Sequence, residues 1–203
     1  IGSIDLLKLL GLPVLLFSIV VHEFGHAYAA YRAGDMTAAY LGRMTLNPIP
    51  HLDPIGTVLI PLIQFFSPQA LPLIGWAKPV PINPLRFRSS EWELFVSLAG
   101  PCANLVLVVI SAVLMKIALL FGIAEIVPTP FGPAIIAGSN VFMPIVTILR
   151  YFIWINIALA VFNLVPIPPL DGSHVLYRLL AAARSPLAEW YASLGRYGYI
   201  ILM

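Results

Sequence analysis

The chain has 203 residues, 60% hydrophobic and only 10% charged, against roughly 45–50% and 25% in ordinary soluble domains. That composition, with a mean hydropathy of +0.95, argues against a soluble enzyme, and a net charge of +2 is too small and scattered to suggest a nucleic-acid partner. The single cysteine, Cys102, excludes an internal disulfide and a cysteine zinc cluster, so any metal must use His, Asp or Glu.

A membrane-spanning helix needs about 20 mostly apolar residues, and four stretches approach this. Ile4–Leu10, carrying Asp5 and Lys8, suits the membrane interface, and the first span is predicted from Pro13 to Tyr31. It lacks a signal-peptide cleavage pattern and runs on into charged residues, so it reads as retained helix. The second stretch, Ile55–Trp76, is cut by Pro61, Pro68 and Pro72. The third, Phe95–Phe121, is entered through Glu91-Trp92-Glu93, with Trp92 as interfacial anchor. The fourth, Val141–Val165, breaks at Pro166, Pro168 and Pro169 and resumes as helix over Asp171–Ala183. Starting at Ile1 and stopping within the apolar run Tyr199–Met203, the chain has the look of a partial sequence of one membrane domain, 1–203, with its core at about 13–183.

Basic residues constrain the threading, because Lys and Arg concentrate in cytoplasmic loops. Loop 32–53 carries Arg32 and Arg43, and loop 76–90 carries Lys78, Arg86 and Arg88, whereas loop 122–140 has no basic residue. The first two loops are thus expected on the cytoplasmic side and the third outside, which requires the second stretch to enter and leave on one face. The predicted fold is an all-α polytopic membrane bundle with a re-entrant hairpin and a proline-broken helix. Non-helical backbone at membrane depth is tolerated where it is buried in protein or lines a cavity.

Within the first span lies His22-Glu23-Phe24-Gly25-His26. Residues four apart share a helix face, so both imidazoles can reach one metal while Glu23 approaches the reacting water. Ionisable groups are expensive at membrane depth, and three polar residues in five therefore need partners or a function. A catalytic zinc usually takes three protein ligands. The candidates for the third are Asp5, Asp53, Glu125, Asp171, His51 and His174. Asp171 follows a stretch that three prolines keep from being helical, and the hairpin threading returns it to the face of His26, about 9 Å below the membrane end of its helix.

The combination of His22-Glu23-Phe-Gly-His26 with Gly100-Pro101-x-x-Asn104 and Asn163-x-x-Pro166-x-Pro168-x-Leu170-Asp171-Gly172 resembles the site-2 protease family of intramembrane zinc metalloproteases. The similarity spans about residues 13–183 and is of the compact prokaryotic type, without an inserted PDZ or CBS domain. It implies one zinc held by His22, His26 and Asp171, with Glu23 as general base. It further implies substrates cut within or beside their own transmembrane segments, and a multi-pass protein of a prokaryotic cell membrane; the basic-loop threading places the site nearer the cytoplasm.

Other residues carry two readings each. Asn163 can donate to the oxyanion or satisfy carbonyls freed by the proline break. His51, in Asn47-Pro-Ile-Pro-His51-Leu-Asp53-Pro54, is a candidate for support of the site, for transition-state donation or for ligation, or else a solvated histidine in a turn. His174 shares a face with Asp171 one turn away, and Asn104 can bond near the zinc site while Gly100 serves helix packing. The extended stretch Trp76–Pro84 can dock an unwound substrate strand or form a plain rigid loop. The competing function is a metal-ion transporter with an intramembrane His/Asp transit site. Oligomeric state is not legible.

Overall fold

The computed structural model describes residues 6–66, 76–130 and 132–195, without the side chains of Leu6, Lys8 and Phe65. A short turn, α1 (Leu6–Leu9), precedes the first long helix, α2 (Gly11–Ala33); Asp5 and the Lys8 side chain, expected at the interface, lie outside the described parts. After α2 come a four-residue helix α3 (Thr37–Tyr40), a 3-10 turn Ile49–His51, a π-helical turn Pro54–Leu59 and α4 (Ile60–Phe66). The second long helix is α5 (Trp92–Leu120); strands β1 (Ala124–Thr129) and β2 (Gly132–Ala137) follow. The third long helix is α6 (Met143–Asn163), and α7 (Asp171–Ala182) and α8 (Leu187–Leu194) complete the described chain.

Among the described residues, three helices are long and apolar enough to cross a membrane: Gly11–Ala33, Trp92–Leu120 and Asn140–Asn163, the last counted with the turn that precedes α6. Their contacts give their directions. His26 meets Val96 and Ser18 meets Asn104, so α5 runs antiparallel to α2. Met115 and Ala118 pack with Val146, whereas Asn104 meets Asn156, so α6 reverses again and runs parallel to α2. The end of α2 and the start of α5 therefore share one face, and everything between them leaves and returns there.

The Pro-interrupted segment behaves accordingly. Gly56 accepts a hydrogen bond from the Trp76 amide at 3.2 Å, and the Thr57 hydroxyl donates to the Trp76 carbonyl at 2.7 Å. The two ends of the segment thus meet, as the re-entrant reading requires. Pro68 and Pro72, which were expected to cut it, lie outside the described residues.

Between helices in lipid, close packing and polar pairs replace the hydrophobic drive. A Cβ on Gly25 would lie 2.8 Å from the Ala99 carbonyl and 3.1 Å from Ala103 Cβ, so α2 and α5 touch backbone to backbone at the level of the histidines. Ala30 and Ala33 continue this tight seam against Val96. At the other end of α5 the structure adds something the all-α expectation lacks: β1 and β2 pair antiparallel, from Ala124 opposite Ala137 to Thr129 opposite Gly132. Ala124 and Ile135 pack against Met115, Ala118 and Val146, capping α5 and α6 on the face away from the histidines.

Candidate metal centre and active site

α2 supplies His22, Glu23 and His26 from two consecutive turns. Asp171 reaches them because the chain does not continue helically after Asn163: Leu164–Leu170 is held by local bonds, including Ile167 N–H to Val165 O at 2.8 Å and Leu170 N–H to Ile167 O at 3.0 Å. Gly172 is needed for this path, since a Cβ there would come within 2.7 Å of the Val165 carbonyl and nearer still to Leu164. α7 then begins at Asp171 itself and is tied to the start of α5 by Arg178 and Glu93, 3.3 Å apart.

Three potential ligand atoms converge. His22 Nε2 lies 3.1 Å from His26 Nε2, and Asp171 Oδ2 lies 3.1 Å from the first and 3.2 Å from the second. This is the one group of three or more His, Cys, Asp or Glu side chains that could hold a metal ion among the described residues. Donors at about 2.0–2.2 Å from a tetrahedral zinc stand about 3.3–3.5 Å apart, so the triangle is of the right size. Hydrogen bonding on the far side of each ring supports a cation. His26 Nδ1 donates to the Val96 carbonyl at 2.7 Å, and His22 Nδ1 faces Asn104 Oδ1 at 2.6 Å. Neutral imidazoles protonated at Nδ1 turn lone pairs toward one another and toward a carboxylate. Three acceptors in mutual contact need a positive charge among them, and zinc suits two imidazoles and a carboxylate.

Gly100 leaves the room. A Cβ there would stand 2.6 Å from both Cε1 and Nε2 of His22 and closer to His26 Nε2. The expected packing role of this glycine is thus joined by a steric one, keeping α5 out of the donor triangle.

Glu23 has a partner no side-chain pattern could announce: its carboxylate accepts from the Val80 backbone N–H at 2.8 Å. The stretch carrying Val80 is fixed along its length. Lys78 N–H donates to the His51 carbonyl at 3.0 Å, Arg43 donates to the Lys78 and Pro79 carbonyls at 2.8 and 3.2 Å, and the Asn83 amide donates to Asp35 at 2.6 Å. Asp35, just beyond α2, is buried and also accepts from the amide and hydroxyl of Thr37. Burial opposes its charge, but these donors and Arg86 outweigh that and hold the carboxyl below the usual carboxylate range.

This stretch was open to two readings, and its geometry favours the rigid loop. The Val80 side chain is buried against Ala27 and Ala38, its amide is occupied, and prolines 79 and 81 remove donors from the other edge. Val80→Pro deletes one charged-acceptor hydrogen bond, worth about 1.5–3 kcal/mol. Turnover is expected to fall by about 10- to 100-fold with zinc content unchanged, as read by peptide cleavage and elemental analysis.

The remaining predicted residues separate. Asn104 is fully buried and contacts His22 directly. Asn163 donates to the Leu159 carbonyl at 2.9 Å, a bond within α6. His51 is fully buried, not solvated: its Nε2 donates to the Thr45 carbonyl at 3.0 Å, while its buried Nδ1 has no partner. His174 is exposed and lines a 260 Å³ pocket with Pro168, Tyr177 and Tyr191. Neither His51 nor His174 belongs to the ligand group. Sequence reasoning passed over Asn156, buried beside Asn104 on α6.

Comparison with known proteins gives the family. Residues 10–203 match the model of peptidase family M50. The protein of Bacillus subtilis (strain 168) named "Putative zinc metalloprotease YwhC" is 36% identical over 193 residues, covering 93% of this chain and 76% of that protein. Two mycobacterial proteins named "Putative zinc metalloprotease Rip2" are similar. The Mycolicibacterium smegmatis one is 30% identical over 179 residues, 86% of this chain and 60% of its own length. That of Mycobacterium tuberculosis (strain H37Rv) is 32% identical over 157 residues, 77% and 52% respectively. No solved structure matches. With a model match over nearly all its length and a zinc-suited triad beside a helix glutamate, the chain is a zinc metalloprotease and belongs to peptidase family M50.

Proposed function

We propose that this membrane metalloprotease cuts peptide bonds within or next to the transmembrane segments of membrane-protein substrates, with the bilayer as its medium. The observation carrying this reading is the position of the centre: His22, Glu23 and His26 sit inside a helix long and apolar enough to span a membrane. In this reading His22, His26 and Asp171 hold one zinc, which when bound supplies Lewis acidity to a carbonyl and a water. Glu23 takes the proton of the attacking water on its carboxylate and passes it to the departing amine, so that one water is added across the peptide bond. The Val80 amide holds one carboxylate oxygen and orients the other. Asn163, at the end of α6, is a candidate oxyanion donor through its second amide hydrogen. The basic loops on the face shared by the end of α2 and the start of α5 support a cytoplasmic location for the active end, and the bacterial relatives support a prokaryotic cell membrane.

The experiment is cleavage of a single-span test protein by purified enzyme in proteoliposomes, with product termini mapped by mass spectrometry. Cuts within or beside the apolar segment, absent in Glu23→Gln, are expected. Cuts confined to soluble regions would overturn the intramembrane reading, and zinc flux across the vesicles without cleavage would favour the transport alternative.

A further inference from the structure

We propose that Asn156 on α6 is a positioning residue for the metal centre: acting through Asn104, it sets which nitrogen of His22 carries the proton and so keeps Nε2 free to ligate. This rests on the reading of His22 as a zinc ligand.

An asparagine side chain has a donor end and an acceptor end of nearly the same shape, and its neighbours decide which way it faces. The Asn156 amide nitrogen lies 2.8 Å from the Phe152 main-chain carbonyl and 2.9 Å from the Ser18 hydroxyl. A carbonyl can only accept, so the nitrogen must face Phe152 and the oxygen must face away. That oxygen accepts from Asn104 Nδ2 at 2.7 Å, and the same nitrogen reaches the Ser18 carbonyl at 3.2 Å. Both hydrogens of Asn104 are then used, and its oxygen is left toward His22 Nδ1 at 2.6 Å. An acceptor at that place requires the proton on Nδ1, and a neutral ring protonated there offers its lone pair at Nε2.

The two histidines are thereby held by different means. His26 faces a main-chain carbonyl, that of Val96, which cannot exchange acceptor for donor. His22 faces a side-chain amide, which can turn over and present NH2, and this would move the imidazole proton onto the nitrogen that must ligate. The shorter of the two bonds opposing that rotation comes from Asn156. Ser18, Asn104 and Asn156 are all fully buried, and together they link α2, α5 and α6. A plainer account makes the cluster only interhelical glue. It predicts that loss of Asn156 loosens the bundle without a particular effect on His22.

The test uses full-length protein in detergent. Zinc affinity is measured by chelator competition, and the tautomers of His22 and His26 are read from 15N imidazole shifts of the metal-free enzyme. Asn156→Leu is expected to weaken zinc binding about 10-fold, the low end of the cost of losing the outer hydrogen bond that Asn104 makes to a ligating histidine. It is also expected to move His22 toward the Nε2–H form while His26 stays at Nδ1–H. Asn156→Asp, buried and protonated, keeps an O–H toward Phe152 and an acceptor toward Asn104, and is expected to restore both values. Should the leucine variant not fold, Asn156→Ser replaces it, its hydroxyl being too short to reach Asn104. Unchanged affinity and tautomer on loss of the amide would overturn the proposal, as would an aspartate variant as impaired as leucine. Wild-type zinc content in His22→Ala would overturn the ligand reading itself, and this inference with it.

Discussion

Asp171→Ala is expected to leave the purified protein without zinc and without proteolytic activity, whereas Glu23→Gln retains zinc and loses turnover by on the order of 10²–10⁴-fold. Elemental analysis of the two variants beside the wild type, at about one zinc per chain, separates the roles. Asp171 supplies the only negative charge in the donor triangle, with its Oδ2 against both imidazoles. Two neutral rings without it neither complete a three-ligand set nor neutralise the ion. The loss should therefore exceed the roughly 10–100-fold that follows from disturbing an outer hydrogen bond. Zinc surviving the substitution would require another ligand, and His51 and His174 lie outside the group.

Gly100→Ala is expected to remove zinc nearly as completely while leaving every ligand in place. The added methyl would stand 2.6 Å from His22 Nε2. The rings have no retreat, because each is tied from behind, to Asn104 and to the Val96 carbonyl. Glycine to alanine within a helix ordinarily gains about 0.5–1 kcal/mol, so helix content by circular dichroism should hold while zinc content falls. A variant with wild-type zinc would mean that α5 can shift away from α2, against the close contact at Gly25.

The grouping of His22, His26 and Asp171 was legible because a helix places residues four apart on one face and the proline break after Asn163 turns Asp171 back toward that face. The three spans and the returning hairpin were legible from apolar length, prolines and the uneven distribution of arginines. The observed spans differ from prediction only at their ends: α2 runs Gly11–Ala33, α5 Trp92–Leu120 and α6 Met143–Asn163. What failed to show has physical reasons. The bond from Val80 to Glu23 comes from a main-chain amide, which every residue but proline has. Asn156 is one of several polar residues in α6, beside Thr147, Arg150 and Asn163, and only its partners distinguish a relay from packing. The β1–β2 hairpin hides because Pro128 and Pro133 face each other within it, and proline ordinarily counts against a strand. Its β-branched pairs, Ile126-Val127 and Ile135-Ile136 on either side of a glycine, were the usable signal.

The donor triangle also has a topological consequence. His26 and Asp171 are 145 positions apart, so an ion held by both ties α2 to α7. An ion that binds only where these distant residues have already met stabilises the folded chain by its own binding free energy. The same atoms that equip the site for hydrolysis thus make it a fastener for the bundle, and metal affinity and fold stability become linked properties.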